Sequence, residues 1–282
     1  MRVGITGVNG FLGGEVYKKL YDLGHLVVPL DSITRKEFLA LKIQESNLTD
    51  LDWVLHFGSK TSIPDSQNDP FSTYASNISS TLSALKIAEK TKSCFLFMSS
   101  FVYGSHHYVP IDEKHPVSAS NPYMSSKIVS EEICTQITKS NNIPLIILRG
   151  FNIYGSKLIP GRLISDLIIA KNNNELLTIN DSNPKRDYLY IKDFVGLIEK
   201  IINSFPIKSG IYNAGYGQAY TNLEVANIFR ELIGESRMVR INSKKRVNDI
   251  LDCSVDTRLI KNTFSWSPKF SLKQGLSDFL LL

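Results

Sequence analysis

Cysteine is scarce in this chain of 282 residues. Cys94, Cys134 and Cys253 are odd in number and fall at no metal-binding or redox spacing. They point to reduced thiols in a cytoplasmic protein. Long apolar runs are missing as well. No stretch approaches the ~20 residues of a membrane span, and the closing Phe279-Leu280-Leu281-Leu282 is far too short. A secretory leader does not fit, because Arg2-Val3-Gly4-Ile5 already reads as a strand. No charge of one sign dominates. The net charge is +5, and the densest basic run, Lys244-Lys245-Arg246, is short. That balance speaks against nucleic acid and for a small anionic ligand. His106, His107 and His115 share a loop without metal-ligand spacing, so no metal is expected. Internal repeats and low-complexity tracts are also lacking.

What remains is ordinary for a folded protein. Hydrophobic residues make up 43% and charged residues 21% of the chain. Its length suits one large domain or two small ones. Apolar strands alternate with helical stretches. Strands are expected at Arg2 to Thr6, Leu26 to Leu30, Trp53 to Phe57, Cys94 to Met98 and Pro144 to Leu148. Helices are expected from Val16 to Leu23, Phe71 to Lys90 and Pro122 to Ile137, the last with Asn121 as N-cap and Pro122 at its first position. This βαβα order predicts an α/β fold, a parallel sheet with helices on both faces.

After Arg149 the pattern loosens. Helices are expected at Leu163 to Lys171, Phe194 to Ile202 and Asn222 to Ile233, with short strands at Tyr188 to Ile191 and Ile211 to Asn213. The expected organisation is a Rossmann-type domain over 1–150 that returns at about 187–220. A smaller substrate-binding lobe would come from 151–186 and 221–282. Only residues 31 to 51 separate the second strand from Asp52, too few for a full set of crossover elements, so one βα unit should be shortened or absent.

Two local patterns carry chemistry. Gly7-Val8-Asn9-Gly10-Phe11-Leu12-Gly13 lies between the first strand and first helix. That arrangement offers backbone N–H groups and a helix N-terminus to a pyrophosphate. Tyr123 and Lys127 are four residues apart, on one face of a helix. A phenol beside an ammonium makes an acid–base device, since the positive charge favours phenolate.

With these patterns in place, the chain resembles the extended short-chain dehydrogenase/reductases, the NAD-dependent epimerase/dehydratase group that acts on nucleotide sugars. The likeness runs in order through Gly7-x-x-Gly10-x-x-Gly13, His56 to Ser62, Asp69-Pro70 with Asn77, Met98 to Gly104, Tyr123-x-x-x-Lys127, Arg149 to Gly155, Arg186-Asp187-Tyr188 and Trp266 to Lys269. It implies that Tyr123 moves the proton of a sugar hydroxyl, that Lys127 holds the nicotinamide ribose and lowers the Tyr pKa, and that Ser99 hydrogen-bonds the reacting oxygen. NAD or NADP would be held by Gly7, Asn9, Gly10, Phe11, Leu12, Gly13, Asp31, Gly58, Tyr123 and Lys127. Asp31 favours NAD if it binds ribose hydroxyls; if it instead contacts adenine, Arg35 would meet a 2′-phosphate. NAD is the preferred expectation. A nucleoside-diphosphate sugar would be met by Ser100, Asn152, Arg186 and Arg246, with an ion pair to Asp187 as the other use of Arg186.

Dehydrating members carry an Asp-Glu pair where this chain has Ser100 and Phe101, which argues against a dehydratase. The leading expectation is reduction of a 4-keto-deoxy sugar on a nucleoside diphosphate. The alternatives are a nucleotide-sugar 4-epimerase with bound NAD and, in another class, a non-catalytic dinucleotide-binding protein. The resemblance also implies a homodimer through helices 71–90 and 122–137.

Overall fold

The computed structural model describes residues 1–31, 50–105, 107–242 and 250–281. Arg35, the Lys244-Lys245-Arg246 run and most of the shortened segment after Asp31 lie outside them. The chain divides into two compact units. One comprises Met1–Ser105, Pro116–Gly150 and Ile198–Tyr212; the other comprises His106–His115, Phe151–Leu197 and Asn213–Leu282.

The first unit is built on strands β1 (Arg2–Thr6), β2 (Leu26–Pro29), β3 (Trp53–His56), β4 (Cys94–Met98) and β5 (Leu145–Gly150). With β9 (Gly210–Ala214) they form a six-stranded sheet in the order β2-β1-β3-β4-β5-β9. The pairings of β1 with β2 and β3, of β3 with β4 and of β4 with β5 are parallel. Nearly every residue of β1, β3, β4 and β5 is buried. Burial without alternation is the mark of a parallel sheet covered on both faces. It explains why these segments read as continuous Val, Ile, Leu and Phe runs.

Helices α1 (Phe11–Asp22), α2 (Ile63–Asn68), α3 (Pro70–Thr91) and α4 (Pro122–Ser140) belong to this unit. Each has a local reason for its start. Gly10 caps α1 without a side-chain bond, while Asp69 accepts Ser72 N–H at 3.0 Å and Asn121 accepts Met124 N–H at 2.9 Å. Such a cap is worth ~1 kcal/mol, and Pro at the first position of α3 and α4 presets φ. Helices α3 and α4 lie side by side. Leu85, Ala88, Phe95, Phe97, Cys134 and Ile147 join one buried cluster.

The second unit centres on β8 (Lys185–Tyr190). It pairs in parallel with β6 (Asn152–Tyr154) and β12 (Asp252–Cys253), and antiparallel with β10 (Ala219–Thr221). This departs from the expected return over 187–220. Only the stretch through β9 joins the large sheet, while β8 pairs with strands of its own unit. The strand also starts earlier than expected, and the next helix, α6 (Ile191–Ile202), follows without a loop. Strands β7 (Thr178–Ile179) and β11 (Arg240–Ile241), which pair in parallel, and helices α5 (Leu163–Asn172), α7 (Asn222–Leu232), α8 (Arg258–Phe264) and α9 (Leu272–Leu280) complete the order. Both α7 and α9 open with a capping box. Among the described residues no helix is long and apolar enough to cross a membrane.

Candidate active site

The C-terminal ends of β1, β3 and β4 lie side by side and release the chain at Gly7, Phe57 and Ser99. That edge is where open α/β sheets bind ligands. Gly7 has φ +77°, which excludes an ordinary side chain, and a Cβ there would lie 2.8 Å from Gly58 N. A Cβ on Gly13 would run into Gly7 O and stand 2.7 Å from Gly7 C. Gly10 N–H closes the turn on Gly7 O at 2.9 Å. The first-turn N–H groups of α1 have no side-chain cap. This bare cradle fits the diphosphate of a dinucleotide, which needs close backbone approach and N–H donors. Asn9 and Gly10 are exposed at its rim; Phe11 and Leu12 are half-buried. The Asp31 carboxylate reaches back to the same loop, taking Gly7 N–H at 2.5 Å and Val8 N–H at 3.0 Å. Its first task is therefore to hold the glycine turn.

A buried histidine ties this turn to the next loop. His56 Nδ1 lies 2.7 Å from Thr6 Oγ1, which also accepts Gly58 N–H at 3.0 Å. Its Nε2 lies 3.2 Å from Thr81 Oγ1, whose own hydrogen goes to Asn77 O at 2.8 Å. The pattern assigns the single ring proton to Nε2. Burial, then the Lys127 charge, pushes the His56 pKa down to about 3, in keeping with a neutral ring. Asn77 clamps the same loop from α3. Its Oδ1 accepts Lys60 N–H at 2.7 Å, and its Nδ2 donates to Lys60 O at 3.1 Å and Ser126 Oγ at 2.9 Å.

Helix α4 carries Tyr123, half-buried in its first turn, and Lys127, buried one turn on. Lys127 Nζ donates to Ser59 Oγ at 2.8 Å and Met98 O at 2.7 Å, and sits 4.5 Å from the centre of the Phe97 ring. Burial draws its pKa down to about 8, against the charge of Glu131. Ser99 N–H donates to Leu148 O at 2.8 Å, and Ser99 Oγ donates to Glu131 Oε1 at 2.5 Å. Beside it, Ser100 Oγ is buried with no hydrogen-bond partner. An orphaned buried hydroxyl needs a reason. Phe101, at the second dehydratase position, packs edge-on against Tyr103 at 5.7 Å.

Gly7, Asn9, Gly10, Phe11, Leu12, Gly13, Asp31, Gly58, Ser99, Ser100, Tyr123 and Lys127 all belong to the first unit. Asn152 and Arg186 belong to the second unit. Asn152 Nδ2 donates to Asp187 O at 3.2 Å, and Arg186 Nη1 donates to Ile250 O at 2.6 Å and Lys185 O at 2.9 Å. The Asp187 carboxylate takes Tyr216 N–H at 2.6 Å and Gly217 N–H at 2.7 Å. Arg246 is outside the described residues. Asp112 and Glu113 accept Lys114 N–H and Asn213 N–H respectively. Sequence reasoning missed Thr6, Ser59, Thr81 and Glu131. Of these, Ser59 lies inside the His56 to Ser62 stretch without having been singled out, and Glu131 left a signal one further turn along the face of Tyr123 and Lys127.

Comparison with known proteins extends the picture. The family model described as NAD dependent epimerase/dehydratase matches residues 3–215. The chain is 26% identical to a UDP-glucose 4-epimerase of Bacillus subtilis, over 99% of this chain and 95% of that one. It is 26% identical to UDP-glucuronic acid decarboxylase 1 of Arabidopsis thaliana, over 99% of this chain and 70% of that one. Its fold superposes on a UDP-glucose 4-epimerase of Thermotoga maritima, solved with UDP-glucose, with a TM-score of 0.88 and 22% identity, covering 100% of this chain and 98% of the other.

Proposed function

We propose that this chain, which belongs to the NAD dependent epimerase/dehydratase family, is a nucleotide-sugar 4-epimerase that works with bound NAD. The observation that carries the reading is the intact Ser99, Tyr123 and Lys127 set beside the glycine cradle, in a chain similar to 4-epimerases over nearly its whole length. Gly7, Gly10 and Gly13 would admit the diphosphate, Asp31 would face the adenosine ribose, and Lys127 would turn its ammonium to the nicotinamide ribose. A bound nicotinamide supplies the acceptor and donor of hydride.

The protein's own part is proton transfer and orientation. Tyr123, as phenolate beside the Lys127 charge, takes the proton of the sugar 4-hydroxyl and later returns it. Ser99 meets the reacting oxygen. Ser100 Oγ, which lacks a partner, takes a polar group of the sugar. Asn152, Arg186 and Arg246 are the proposed contacts of the sugar diphosphate, and the second unit is the proposed substrate lobe. With Ser100 and Phe101 at the dehydratase positions, no carboxyl there can expel water from the sugar.

The 4-keto reductase expected first from the sequence uses the same side chains, so an assay separates the two. Incubating the purified chain with NAD and UDP-glucose or UDP-galactose should interconvert the sugars with no net change in nicotinamide absorbance. Stoichiometric loss of NADH or NADPH absorbance with a 4-keto sugar, and no interconversion, would restore the reductase. Tyr123→Phe should lower turnover by about 10²-fold or more while leaving NAD bound. Turnover as fast as wild type would sink the proposed chemistry, and NAD binding without turnover on either substrate would favour the non-catalytic alternative.

A further inference from the structure

Behind Ser99 lies a charged pair that the reaction above does not use. Glu131, on α4 one turn past Lys127, accepts Arg149 Nε at 3.1 Å on Oε1 and Nη2 at 2.6 Å on Oε2. Arg149 Nη1 reaches Tyr103 Oη at 3.3 Å, and its guanidinium lies 5.0 Å from the Tyr103 ring centre. The side chains of the pair are 6% and 8% exposed. A buried ion pair is a poor source of stability compared with apolar side chains of the same volume. This one does something that apolar side chains would not: it accepts the hydrogen of Ser99 at 2.5 Å.

The inventory of donors then decides what Ser99 can offer. A hydroxyl has one hydrogen and two lone pairs; a guanidinium only donates. Arg149 therefore holds Glu131 as an acceptor, and the single Ser99 hydrogen is committed to it. Ser99 Oγ has only lone pairs left for a ligand.

We propose that Glu131, clamped by Arg149, is a positioning residue that fixes Ser99 as a hydrogen-bond acceptor, so that the site holds the sugar alcohol more firmly than the ketone. The inference rests on the 4-epimerase reading for the place of the sugar. The alcohol hydrogen is shared between Ser99 Oγ and the Tyr123 oxygen. When Tyr123 has taken that proton, the carbonyl oxygen has no hydrogen to give, Ser99 has none to return, and the Tyr123 O–H is the one donor left to it among these groups. The ketone keeps only the Tyr123 hydrogen bond at that oxygen, one contact fewer than the alcohol, and turns more readily to present its other face, as inversion at that carbon requires. A Ser99 that donated to the carbonyl would hold the ketone in place.

The test is calorimetric titration of the NAD-loaded full chain with UDP-6-deoxyglucose and with its 4-keto counterpart. Ser99→Ala should weaken the alcohol about tenfold and leave the ketone within about twofold. Equal loss on both ligands, or a greater loss on the ketone, overturns the proposal. Glu131→Leu with Arg149→Met removes both charges and frees the Ser99 hydrogen, so ketone affinity should rise about fivefold or more. Adding Ser99→Ala should erase that gain, because the effect acts through Ser99. A gain that survives Ser99→Ala, or no gain in a pair variant that melts like wild type, also overturns it. If the pair variant does not fold, the Ser99→Ala titrations decide alone. Absence of UDP-glucose interconversion with the ligand preferences as stated would count against the 4-epimerase reading and leave the Ser99 inference standing. A chain that binds neither sugar removes both.

Discussion

Gly13→Ala probes the cradle most directly, because the collision it creates is with backbone. A Cβ at this position would strike Gly7 O, lie 2.7 Å from Gly7 C and 3.3 Å from Thr6 O. These atoms belong to β1 and its turn, so no rotamer change relieves them. Restoring ordinary contact needs the start of α1 to move outward by ~1 Å in a close-packed interior. Overpacking of this kind costs ~1–3 kcal/mol, a fall of roughly 2–12 °C in melting temperature. The same shift withdraws the first-turn N–H groups from the diphosphate. Each such hydrogen bond to a charged group is worth ~1.5–3 kcal/mol, so the Kd for NAD should rise about tenfold to a hundredfold. Calorimetric titration and thermal unfolding measure the two effects. Gly24→Ala is the control: φ there is +79° and nothing lies within 4 Å. It should cost only the left-handed backbone penalty, ~1–2 kcal/mol, with NAD affinity unchanged. NAD binding by Gly13→Ala within about twofold of wild type, or a loss as large in Gly24→Ala, would refute the reasoning.

Arg149→Met alone strands the Glu131 carboxylate and should cost ~3–5 kcal/mol in denaturant unfolding, most of it recovered when Glu131→Leu is added; a double variant no more stable than the single one contradicts this. Lys127 gives a pH signature. Below pH 8 both folded and unfolded chains carry its proton, and the folded chain bears the full burial cost. Between about 8 and the ordinary 10.5 the unfolded chain holds a proton that the folded chain has lost, so stability from this group rises with pH across that window. Subtracting the profile of Lys127→Met should reveal the rise, and a flat difference would rule out the burial cost. A homodimer through α3 and α4, where Phe71 and Val129 are exposed, should sediment at twice the chain mass and fall to monomer on Val129→Glu. A monomer at high concentration rejects it.

Much of the fold was legible in the sequence because its signals are short-range. Pro122 after Asn121 starts a helix wherever the chain goes, since one amide oxygen reaches the next turn and one ring fixes φ. The buried runs at Trp53 and Cys94 read as strands because a parallel sheet hides both faces. Other features were beyond that reach. The strand at 185–190 was visible, but not which sheet it joins, since pairing partners lie 32 to 67 residues away. Arg186 stands next to Asp187 in sequence, yet β geometry points neighbours to opposite faces, and Asp187 turns to Tyr216 and Gly217.

The sequence by itself determined the glycine turn, the Tyr123–Lys127 spacing and the alternation that makes a parallel sheet. Each is set by steric and helical rules acting within a few residues. Only the tertiary structure decided which hydrogen Ser99 has to give, where the His56 proton sits and what Lys127 touches. Those answers depend on groups such as Glu131, Arg149, Thr81 and Ser59, which are distant along the chain. Hydrogen-bond direction is fixed by the complete set of donors and acceptors around a buried atom, and that set exists only once the chain has packed.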